Sequence, residues 1–87
     1  MKNWLEKLDL PGEPGPTRSI VEIVDADRVL IEHHTGVIRY GTQQICVKVK
    51  FGVVSICGNG LELKRMTGQM LVISGRIDGV HLERRKT

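Results

Sequence analysis

Three glycines, Gly36, Gly52 and Gly68, fall sixteen residues apart inside runs of aliphatic side chains. No other feature constrains the fold of this chain as strongly. Val29-x-Ile31 with Gly36-Val37-Ile38-x-Tyr40 returns as Ile45-x-Val47 with Gly52-Val53-Val54-x-Ile56. It returns more loosely as Leu61-x-Leu63 with Gly68-x-Met70-x-Val72. The spacing implies one hairpin-sized unit used three times. Such a unit leaves little room for catalytic apparatus, which points away from an enzyme.

At 87 residues the chain makes one small domain, near the size at which about 60% of the unfolded surface can be buried. Aromatic residues are only 3%, namely Trp4, Tyr40 and Phe51, so the core must be aliphatic, and β-branched side chains suit a pleated surface. So small a core gives marginal stability, and packing against a partner or a second copy is expected. The net charge is +3 from 13 basic and 10 acidic residues, and the excess gathers in Arg84-Arg85-Lys86. The plain reading of that tail is a solvated end; the functional one is attraction to an acidic partner, nucleic acid or anionic lipid. Two cysteines without close spacing imply neither a disulfide framework nor a zinc site. No apolar run approaches the roughly 18 residues of a membrane span, and no signal-peptide pattern is present. A soluble, cytoplasmic protein in a reducing compartment is the expectation.

Along the chain, residues 1–17 read as an N-terminal helical turn and linker, 18–84 as a β-domain and 85–87 as a basic tail. Trp4, Leu5 and Leu8 share one face of the short helical segment, which is too short to be stable alone. The plain reading is a lid on the open end of the β core or a frayed terminus; the functional one is a small anchor for a partner or membrane surface. Pro11-Gly12-Glu13-Pro14-Gly15-Pro16 holds every proline of the chain and excludes helix interior and central strand.

Strands are predicted near 19–24, 28–33, 37–41, 44–50, 53–57, 61–66, 70–74 and 76–83. Four-residue loops over 33–36 and 50–53 would set Ile31 against Ile38 and Val29 against Tyr40, then Val49 against Val54 and Val47 against Ile56. Each hairpin gains one apolar face, as register selection requires. The second register also sets Cys46 opposite Cys57, most simply as free thiols. Gly58-Asn59-Gly60 reads as a hairpin turn, while Gly75 and Gly79 suggest a bulge or sharp bend. The expected fold is all-β: an antiparallel meander forming a small barrel or sandwich of about seven or eight short strands. A three-coil β-solenoid fits the period as well.

Little in the chain suggests chemistry. His33, His34 and His81 have no carboxylate or cysteine at a metal-ligand spacing. Asp25 and Asp27 flank a tight turn, where such side chains cap their own backbone. Neither a nucleophile triad nor a phosphate-cradling loop is present, so no catalytic, cofactor-binding or metal residues are assigned.

With the strands laid out, Leu30-Ile31-Glu32-His33-His34-Thr35-Gly36-Val37-Ile38-Arg39-Tyr40 resembles the YabP/YqfC family of sporulation proteins. So do Gly52 to Leu63 and the closing Ile73-Ser74-Gly75-Arg76-Ile77, and the likeness is greatest to the YqfC branch. His34 and Gly36 match the family turn, Tyr40 its aromatic, Gly58, Leu61 and Leu63 its middle segment. His33 stands where the family pattern has Asn. The resemblance covers about Val29 to Glu83 and implies a non-enzymatic factor that assembles the endospore envelope from the mother cell. It further implies a sporulation membrane protein, or another spore-envelope protein, as partner. From the residues themselves, Trp4, Leu5 and Leu8 are the candidate partner contacts, while the resemblance marks His34, Gly36 and Tyr40 as the family turn motif. The alternative is an Sm-like RNA-binding small barrel, for which neither stacking aromatics nor a basic groove is evident. A thiol or metal protein using Cys46, Cys57 and the histidines is a third reading.

Overall fold

The structure is a computed structural model that describes residues 18–85. Trp4, Leu5, Leu8 and the helical turn expected of them lie outside the described residues. Six strands follow in order: β1 (Ile20–Val24), β2 (Arg28–Glu32), β3 (Gly36–Tyr40), β4 (Gln44–Val49), β5 (Gly52–Met66) and β6 (Met70–Arg84). All neighbours are antiparallel, in the spatial order β1-β2-β6-β5-β4-β3. The described residues are therefore all-β, as expected. A solenoid, which stacks parallel coils, is excluded. The single sheet does not close, since β1 and β3 are left as edges.

The expected strand count falls to six because two pairs of short strands are each one long strand. Residues 53–57 and 61–66 merge in β5, and 70–74 and 76–83 merge in β6. Gly58-Asn59-Gly60 is accordingly no hairpin turn. It is a corner inside β5, where the β5–β6 register shifts between Cys57 and Gly58 and again between Asn59 and Glu62. Two glycines make that corner accessible. A methyl group at Gly58 would overlap the Arg76 carbonyl, and Gly75 has φ +136°, which side chains rarely tolerate. The bend suggested by Gly75 is there.

The corner folds the sheet around one core. Val29 and Ile31 of β2 and Leu71 and Ile73 of β6 come from one half. Ile45, Val47 and Val49 of β4 with Val54 and Ile56 of β5 come from the other, and Leu61 and Ile77 sit between. Burying each such side chain contributes about 1.5–3 kcal/mol, and among the described residues no polar one is buried with them. Two hairpin turns clamp the corner from outside. Gly58 and Leu61 donate main-chain N–H bonds to Gln43 and Thr42 of the β3–β4 loop (3.0 and 2.9 Å). Gly75 and Ile77 donate likewise to Asp27 and Ala26 of the β1–β2 turn (3.2 and 2.9 Å).

Both register expectations change. β2 and β3 do not pair: β2 lies between β1 and β6, and β3 pairs only with β4. After Glu32 the chain leaves the first half, with His33 at φ +62° and its N–H donated to Gln69 O (2.6 Å). It enters the second half at Thr35, whose N–H donates to Lys48 O (2.8 Å). β4 and β5 do form a hairpin, but through the two residues Lys50 and Phe51, with Val49 opposite Gly52. Val47 thus faces Val54 and Ile45 faces Ile56, a slip of two residues that preserves the apolar face. Cys46 consequently faces Ser55 rather than Cys57.

Candidate functional site

The motif residues are spread along one edge rather than gathered. His34 lies in the crossing from β2 to β3. Its Nε2 is 3.1 Å from Thr67 O in the β5–β6 turn, and its Nδ1 is buried with no partner among the described residues. Gly36 opens β3 and Tyr40 ends it, 60% exposed beside Ile38 at 58%. His34 and Tyr40 therefore flank opposite ends of β3. His33, next to His34, turns its Nδ1 to Arg18 O (2.7 Å) and ties the start of the domain to this crossing.

The cysteines and histidines form no shared centre. Cys46 and Cys57 are free thiols, and Cys46 Sγ lies 3.4 Å from Ser55 Oγ. His81 is opposite Ser55 on β6, so Cys46, Ser55 and His81 make a row across three strands. Among the described residues no group of three His, Cys, Asp or Glu could hold a metal ion.

Two surfaces stand out instead. The first is the pair of sheet edges. β1 carries Ile20, Ile23 and Val24, all exposed, with Glu22 as its only charge and a regular ladder to β2. β3 carries Ile38 and Tyr40, and its ladder to β4 is broken by a bulge between Val37 and Arg39. Bulges and charges blunt an edge against further pairing; β1 has fewer such protections.

The second surface is a groove of 610 Å³ where the β4–β5 turn meets the end of β6. Lys48, Lys50, Arg84 and Arg85 line it against a single carboxylate, Glu83, with Val49, Val53, Gly52 and Thr35 completing the walls. Its rim is fixed by one main-chain bond and three bonds between side chain and main chain. Arg85 N–H donates to Phe51 O (2.8 Å), and Arg85 Nη2 donates to Lys50 O (2.9 Å). Lys50 N–H donates to Ser19 Oγ (3.1 Å), whose hydroxyl donates to His33 O (3.0 Å). Sequence reasoning missed this basic groove because two of its cations belong to a strand hairpin and two to an apparent tail. Only the Gly52–Arg84 pairing of β5 with β6 brings them together.

Among the described residues no helix is long and apolar enough to cross a membrane. A family model described as the YabP family matches residues 15–87. No curated protein and no solved structure matches the chain.

Proposed function

Because the chain belongs to the YabP family, and is thereby a sporulation-related protein, we propose that it is a non-enzymatic assembly factor of the endospore envelope. It works by protein–protein contact at its open sheet edges. The carrying observation is the exposed apolar edge strand β1, set beside a domain whose family belongs to sporulation. An unpaired edge accepts a strand from another chain through main-chain hydrogen bonds, and alternate side chains supply specificity. Ile20, Ile23 and Val24 offer such side chains on β1, and Ile38 and Tyr40 on β3.

On this reading the partner is a sporulation membrane protein, as for YqfC-type proteins, or another spore-envelope protein, or a second copy. The protein acts in the mother cell, peripheral to the forespore, and Trp4, Leu5 and Leu8 add an anchor. The test is microscopy of a functional fluorescent fusion in sporulating cells, with Ile23→Lys on β1 and with residues 1–10 removed. A rim around the forespore that turns diffuse with Ile23→Lys supports edge docking. A rim lost only on truncation moves the contact to the N-terminal segment. Diffuse signal in the unaltered protein overturns envelope assembly.

A further inference from the structure

We propose that the groove between the β4–β5 turn and the end of β6 binds the anionic headgroups of a lipid bilayer. This goes beyond the assembly reading and does not depend on it. Lys48, Lys50, Arg84 and Arg85 line the groove together with one carboxylate, Glu83. None of the four forms an ion pair with another described residue. By contrast, Lys64 and Arg76 elsewhere on β5 and β6 are paired with Glu62 and Asp78 (3.1 and 3.3 Å). The groove thus concentrates uncompensated positive charge, and the sequence continues from Arg85 into Lys86. Arg85 N–H on Phe51 O and Lys50 N–H on Ser19 Oγ hold the rim, and the Arg85 guanidinium lies along it on Lys50 O.

The surroundings distinguish a bilayer from a nucleic acid. Strand readers of RNA or DNA stack bases on aromatic rings, and no aromatic side chain lines this groove. Val49 and Val53 are in its walls, and exposed aliphatic side chains flank it. Leu82 stands on β6 one residue before Glu83, and Ile20 on β1 follows the Ser19 that bonds Lys50. Cations beside exposed aliphatic residues suit the interface of an anionic bilayer, where charge attracts and apolar side chains enter the headgroup boundary.

The test is co-sedimentation of the full chain with vesicles of phosphatidylglycerol and phosphatidylcholine in equal parts, or of phosphatidylcholine alone. Each cation removed should weaken anionic binding about fivefold. Lys48→Gln with Arg84→Gln should therefore cost about twenty- to thirtyfold. Arg28→Gln with Arg65→Gln takes the same charge from outside the groove and should cost far less. For the unaltered protein, raising salt from about 0.1 M to about 1 M, which cuts the screening length from about 10 Å to about 3 Å, should release it from the vesicles. That readout needs no variant to fold. Equal losses in the two double variants would reduce the effect to net charge and overturn the proposal, as would absence of anionic vesicle binding. Tighter binding to an oligouridylate, lost in the groove variant alone, would overturn it in favour of nucleic acid.

Discussion

At the scale of single residues, backbone conformation decides more than side-chain chemistry. Ala26 sits at φ +56° in the β1–β2 turn, next to Asp25 at φ +51°, and Asp27 N–H closes the turn on Val24 O (3.1 Å). A left-handed alanine costs about 1 kcal/mol that glycine does not. Ala26→Gly is expected to stabilise the domain by up to about 1 kcal/mol, less what glycine adds to unfolded-chain entropy, and urea denaturation checks the sign. Gly58→Ala has the opposite outcome, because its methyl would meet the Arg76 carbonyl inside the corner. We expect a loss of at least about 3 kcal/mol, in the range reserved for strain and overpacking. Removing the His34 ring should cost about 1 kcal/mol for its bond to Thr67 O, and His34→Gln tests whether another side-chain donor restores it. The turn at Asp25–Asp27 and the bend at Gly75 were legible, since glycine and aspartate carry local conformational preferences. Gly58-Asn59-Gly60 misled because a corner within a strand needs the same residues as a hairpin turn.

At the scale of elements, the alternation of Val29, Ile31, Ile45, Val47, Val54 and Ile56 marks strands that bury one face, and that much was readable. Pairing was not. Ile31 can face Ile38 across a hairpin or Leu71 across a long-range ladder with equal hydrophobic credit, and the structure takes the second. Sequence periodicity carries no information on which distant strand fills the open side of β2. The sixteen-residue repeat is therefore half topological. Its second and third copies are the β4–β5 and β5–β6 hairpins, while the first is a crossing between halves. The edges give a prediction of their own: Ile23→Lys should leave stability within about 0.5 kcal/mol while abolishing any self-association through β1. Light scattering across concentration measures the second, thermal unfolding the first. The exposed position of Tyr40 was not foreseeable either, since nothing local declares β3 an edge.

For the whole molecule, one aliphatic core is shared by two half-sheets, and β5 and β6 run through both. Ile56→Ala, deep in that core, should cost about 2–5 kcal/mol, a large part of the 5–15 kcal/mol typical of a domain. The loss should appear as one cooperative transition. The basic groove is likewise a property of the whole, invisible until β6 returns to β4–β5. Ser19, one residue after the start of the described chain, and Arg85 at its end hydrogen-bond to adjacent residues of one turn, Lys50 and Phe51. In topological terms the domain is almost a ring with a nick in it. A short bridge could join the two ends and new ones could be opened elsewhere with the ladder unchanged. A tag joined directly at Arg85, conversely, is delivered to the wall of that groove, so a reporter that silences the protein there while its thermal unfolding is unchanged identifies a blocked doorway and not a broken fold.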